Sequence, residues 1–198
     1  MCSIVGSFSS EFLSGLVSLN LHRGSMNHSV LEVGDGVEIT QGSGPLESYD
    51  KKQRISYLIC HHQAPTTQSP KQHPAILGNK YLFHNGIIKQ RYLEKIQADL
   101  ETNETWDTLL LLMMIEKYGY ECLKEIDGSF ACALINCETT EVHLFRNMLS
   151  PLFVDDIYNI SSTSFDDSYE LPPNTVVDLY TKKTVYNFST NDDVYFYG

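Results

Sequence analysis

The chain has 198 residues, 42% hydrophobic and 20% charged, a balance that supports one folded domain with a sizeable core. With 14 Lys+Arg against 25 Asp+Glu the formal net charge is −11, which argues against a nucleic-acid or anionic-membrane partner, where a basic footprint is expected. There is no signal-peptide pattern or bilayer-length apolar run, and five irregularly spaced cysteines (Cys2, Cys60, Cys122, Cys132, Cys137) read as free thiols in a reducing, cytoplasmic setting.

In chain order, residues 3–8 form a short apolar run, expected as a buried strand. Apolar positions Phe12, Leu13, Leu16, Val17 and Leu19 predict an amphipathic helix over 11–21, ended near Gly24. Residues 28–40 alternate around Gly34 and Gly36 as a hairpin, and 55–60 form a strand delivering His61-His62-Gln63 to its end. Pro65, Pro70 and Pro74 make 63–74 a long irregular loop, of the kind that is often functional. Residues 81–84 are a strand running into Asn85-Gly86, whose plain reading is a turn. Two helices follow, over 88–100 and 106–118, the second capped by Thr105 and stopped at Gly119, with a helical turn at 121–125. After Gly128 the texture changes to short β-branched and aromatic strands at 129–136, 141–146, 152–154, 158–163, 175–180 and 184–188.

The opening Met1-Cys2-Ser3-Ile4-Val5-Gly6 carries the main chemical possibility. Removal of Met1 would leave a thiol and a free α-amine on Cys2, with ordinary pKa values of about 8.5 and about 8, so that one residue supplies nucleophile and base. Taken alone, the dipeptide reads first as a small residue after an initiator methionine, as in many chains. Cys60, His61, His62 and His73 have metal-ligand chemistry, but neighbours on a strand face opposite ways; no metal or other cofactor is expected.

Several stretches occur in one collinear order: Met1 to Gly6, Leu21-His22-Arg23-Gly24, His61-His62-Gln63, His84-Asn85-Gly86, and Asp107 ahead of the apolar helix ending at Tyr118-Gly119. They continue with Asp127-Gly128-Ser129-Phe130-Ala131-Cys132-Ala133, then Leu144-Phe145-Arg146-Asn147 through Pro151-Leu152-Phe153. In these the chain resembles the glutaminase domain of class II glutamine amidotransferases, an N-terminal nucleophile (Ntn) hydrolase family, and most of all the N-terminal domain of asparagine synthetase.

The resemblance implies an α+β fold, a four-layer αββα sandwich of two antiparallel sheets between helices, formed as a single domain over residues 1–198 with no synthetase domain. It implies Cys2 as nucleophile, its α-amine as base, and Asn85 and Gly86 as the oxyanion hole. Asp107 would hold the α-ammonium of glutamine; read singly, it is a helix-start residue. Gln63 stands where the family has the arginine that grips the substrate carboxylate, so Gln63 with Thr66 and Thr67, or Arg23, would have to take that group. Arg23 reads equally as a brace. Ile87 replaces a family glutamate at a position used mainly through its backbone. The implied reaction is glutamine hydrolysis through a γ-glutamyl thioester, with ammonia passed to a separate synthetase chain. The alternatives are an Ntn amidohydrolase on another small amide, or a degenerate glutamine-binding module.

Overall fold

The computed structural model describes residues 2–64 and 71–190. In chain order its elements are β1 (Ser3–Ser7), α1 (Ser10–Asn20), β2 (Asn27–Val33), β3 (Val37–Ser43), β4 (Tyr57–Gln63), β5 (Ala75–Leu77), β6 (Lys80–Ile88), α2 (Gln90–Leu100) and α3 (Asp107–Tyr118). A 3-10 turn (Gly119–Glu125) leads to β7 (Gly128–Asn136), β8 (Glu141–Arg146), β9 (Phe153–Val154), β10 (Ile160–Ser161), β11 (Tyr169–Glu170), β12 (Thr175–Asp178) and β13 (Thr184–Asn187).

These strands make two sheets, ordered β11-β9-β10-β1-β4-β2-β3 and β13-β12-β8-β7-β6-β5, with every pairing antiparallel. Successive strand residues face opposite sides, and that alternation sorts the apolar residues into layers. Ile4, Leu31 and Ile59 of the first sheet meet Phe83, Ala131 and Leu144 of the second between the sheets. Their chain neighbours Val5, Val30 and Leu58 face outward and are covered by Leu13, Leu16 and Val17 of α1. On the far side Leu82, Phe130 and Leu134 lie under Leu93, Ile96, Leu110 and Leu111 of α2 and α3. This is the αββα sandwich expected from the sequence. No helix of the described residues is long and apolar enough to cross a membrane.

The structure departs from the local reading in five places. Asn85-Gly86 is not a turn: β6 runs straight through it, with Asn85 opposite Ala131 and Gly86 opposite Phe130. His61-His62-Gln63 lie within β4 and not beyond its end: His61 and His62 are paired on both sides, and Gln63, the last residue, pairs with Asn27 of β2. Trp106, not Thr105, is the residue preceding α3, and it makes no side-chain cap. Three-residue β5 and two-residue β11, both too short to carry a pattern, are additions.

A buried acid secures the loop beside β2. Glu32, with no exposed surface, accepts hydrogen bonds from Ser56 Oγ (2.7 Å), Gln53 N (2.8 Å), Tyr49 Oη (3.0 Å) and Lys52 N (3.0 Å). Burial works to raise its pKa, but the donors win and hold the carboxyl below its ordinary range. Glu32→Gln should therefore cost about 2 kcal/mol in urea denaturation at pH 7. A depressed carboxyl stabilises above its unfolded pKa of about 4.3 and stops doing so as pH falls through the lower folded value. The gap between wild type and variant should accordingly narrow below about pH 4; a constant gap from pH 7 to pH 3 would contradict this account.

Candidate active site

The N-terminal end of β1, the end of β4, the second half of β6 and the start of α3 converge on one cavity of about 270 Å³. Its walls include Cys2, Gln63, His73, His84, Gly86, Ile87, Trp106, Asp107 and Thr108. Five of the nine site residues expected from the sequence thus line one cavity: Cys2, Gln63, Gly86, Ile87 and Asp107. A larger hollow of about 580 Å³ lies elsewhere, between α1 and Ser164–Phe165–Asp166, and brings together no such chemistry.

Cys2 is buried, 8% exposed. Burial pushes its thiol pKa up and the Asp107 charge adds to this, while the Ala64 N–H and the Arg23 guanidinium pull it down; the net direction is upward. The thiol is thus neutral at rest and needs a base to become a nucleophile. His61 and His73 stack at 3.8 Å between ring centroids, and burial holds both neutral, His61 at about 3 and His73 well below its ordinary value.

Arg23 does not line the cavity. Its Nε donates to the Cys2 carbonyl at 3.2 Å, which ties its side chain to the backbone of Cys2. Gly24 follows it, where a Cβ would lie 2.9 Å from both the Gln63 carbonyl carbon and the Ala64 nitrogen; only glycine lets this segment press so closely on the end of β4. Gln63 donates from Nε2 to the Lys71 carbonyl at 3.2 Å, and its buried Oε1 has no partner among the described residues. Thr66 and Thr67 lie outside the described residues.

Asn85 is off the cavity wall: its side chain faces the first sheet and Nδ2 donates to Ser162 Oγ at 3.4 Å. The same hydroxyl accepts from Ile4 N at 2.9 Å, which ties Asn85 to the strand carrying Cys2. Gly86 is on the wall, pressed so tightly to β7 that an added Cβ would sit 1.9 Å from the Ser129 carbonyl oxygen. Asp107 opens α3, a favourable place for an anion, and its Oδ1 accepts from Thr108 N at 2.7 Å.

Sequence reasoning missed His73, His84, Trp106 and Thr108 as cavity residues. His84 and Thr108 are chain neighbours of Asn85 and Asp107, and strand alternation was the signal that puts His84 and Gly86 on the face opposite Asn85. The four candidate metal-ligand residues divide as alternation requires: His61 stacks on His73, while Cys60 Sγ lies 3.8 Å from His62 Nδ1. Among the described residues no three acidic, histidine or cysteine side chains gather into a metal site.

The sequence profile of the glutamine amidotransferase domain family matches residues 61–161, about half of the chain. No curated protein sequence matches significantly. Among solved structures the chain is similar to glutamine phosphoribosylpyrophosphate (PRPP) amidotransferase from B. subtilis, complexed with ADP and GMP, at a TM-score of 0.72 and 17% sequence identity. That likeness covers 96% of this chain and 50% of the other, so the chain spans about half the length of its structural relative.

Proposed function

Because the chain belongs to the glutamine amidotransferase domain family, we propose that it hydrolyses the side-chain amide of glutamine on Cys2. The observation that carries this reading is the meeting of Cys2, Gly86 and Asp107 around one cavity. With Met1 removed, the α-amine takes the thiol proton and Sγ attacks the amide carbon. The oxyanion is held by the Gly86 N–H, with Asn85 turning from Ser162 to help. The ammonium formed on Cys2 returns its proton to the leaving nitrogen, ammonia departs, and water then releases glutamate from the thioester. Asp107 meets the α-ammonium of the substrate by a charge-assisted hydrogen bond.

Glutamine amidotransferase domains usually work with a synthetase domain, and the user of the ammonia in this reading is a synthetase on a separate chain. The five free cysteines suit a reducing cytoplasm. Protein lacking Met1 should convert glutamine to glutamate and ammonia, and acid quenching during turnover should trap an acyl adduct on Cys2 by mass spectrometry. Absence of both glutamate and adduct would reject the reading. Gln63, whose amide is partly committed to the Lys71 carbonyl, favours one alternative: an amide substrate without a free carboxylate. Faster turnover of the α-amide of glutamine than of glutamine itself would select it.

A further inference from the structure

Asp107 can serve a cation only if one of its oxygens is held while the other is left for the ligand. The first turn of α3 and two histidines supply that arrangement. Thr108 is buried, 1% exposed, and three groups reach its hydroxyl oxygen: His73 Nε2 at 3.2 Å, His84 Nδ1 at 3.3 Å and Asp107 Oδ1 at 3.3 Å. A threonine hydroxyl has one proton to give and two lone pairs to receive.

The proton directions follow from which atoms lack alternatives. His73 Nδ1 is buried with no partner among the described residues, so a proton there would be an orphaned donor. The ring is neutral and carries a single ring N–H; it therefore sits on Nε2 and donates to Thr108 Oγ1. Thr108 is then left to donate its own proton. His84 Nε2 donates to the Ser129 carbonyl at 3.4 Å, which leaves its Nδ1 as an uncharged acceptor, and the Asp107 carboxylate, an anion that only accepts, is the stronger claimant. Oδ1 thereby receives both the backbone N–H and the hydroxyl of Thr108. Oδ2 remains, 3.8 Å from His84 Nδ1, on a side chain that is still 19% exposed.

We propose that Thr108 is a positioning residue, whose hydroxyl, oriented by His73, pins Oδ1 of Asp107 and so presents Oδ2 to the ammonium group of the substrate. This inference rests on the reading of Asp107 as the cation-binding residue. It adds Thr108 and His73 to the specificity machinery without giving either a part in the bond-making steps.

Thr108→Val keeps the side-chain shape and removes the hydroxyl, whereas Thr108→Ser keeps the hydroxyl. In glutamine hydrolysis Thr108→Val should raise KM about tenfold, the loss of one hydrogen bond to a charged group, while kcat stays within about twofold. Thr108→Ser should stay close to wild type. A separate readout needs no turnover: nitrogen-15 NMR of the wild-type protein should show His73 as the Nε2–H tautomer, and Thr108→Val should lose that single form. An unchanged KM in Thr108→Val, a Thr108→Ser variant as impaired as Thr108→Val, or an Nδ1–H tautomer in wild-type His73 would each overturn the proposal. If wild-type protein turned over no glutamine, the proposed function would fail, and the NMR result alone would decide the role of Thr108.

Discussion

Cys2→Ala is expected to lower glutamine hydrolysis by about 10⁴-fold or more, because it removes the atom proposed to carry the acyl group. The thiol is buried and its pKa is raised, so it depends on its base to act, and alanine leaves that base with no proton to take. The fold should persist, since the change deletes one buried sulfur; a Tm shift of about 2–4 °C would be ordinary for a chain of this size. Retaining Met1 should give the same loss by another route. The thiol would be intact, but the base beside it would be an amide nitrogen with no proton affinity near neutral pH. Protein made with methionine removal inhibited should therefore be inactive, and should regain activity when an aminopeptidase trims it. Full activity in either Cys2→Ala or untrimmed protein would end the assignment of Cys2 as an N-terminal nucleophile.

Gly86→Ala should damage both stability and turnover. The added Cβ would stand 1.9 Å from the Ser129 carbonyl oxygen, 2.6 Å from its carbon and 2.8 Å from His84 Nε2. Two of these obstacles are backbone, so β6 and β7 must part and no rotamer change relieves the contact. A cost on the order of 3 kcal/mol is expected, the upper end of overpacking in a tight interior. Displacing the Gly86 N–H from its proposed place at the oxyanion should lower kcat by about 10²-fold or more. Gly15→Ala is the matched control. It lies in α1 with nothing within 4 Å of the new carbon, and should stabilise by about 0.5–1 kcal/mol through helix propensity. Thermal melts and urea titrations of the two variants should therefore move in opposite directions. A Gly86→Ala protein as stable as wild type would show that the β6–β7 contact is looser than described.

Much of this was legible in the sequence where the physics is local. Periodicity marked α1, α2 and α3, and the β-branched runs after Gly128 became β7, β8, β12 and β13 with ends off by two residues at most. The apolar run of α3 faces sheet and helix alike, which is why six of its residues are buried. The collinear motifs also placed Cys2, Gln63, Gly86, Ile87 and Asp107 among the candidates, and the fold brings these five to one cavity.

What the sequence could not decide depended on partners distant in the chain. Asn85-Gly86 has a local preference for turns, but β7 offers a nine-residue antiparallel register from Lys80 to Ile88. A continuous ladder satisfies backbone donors and acceptors that a turn in mid-strand would leave buried and unpaired, so tertiary pairing overrides the dipeptide. Likewise Thr108 and His73 stand 35 positions apart, and only the docking of α3 on the second sheet makes one hydroxyl common to both histidines and Asp107. Sequence by itself determined which chemistry-bearing residues exist and which elements carry them. Tertiary structure decided which of them share a cavity, because strand register and helix docking set the direction in which each side chain leaves the backbone.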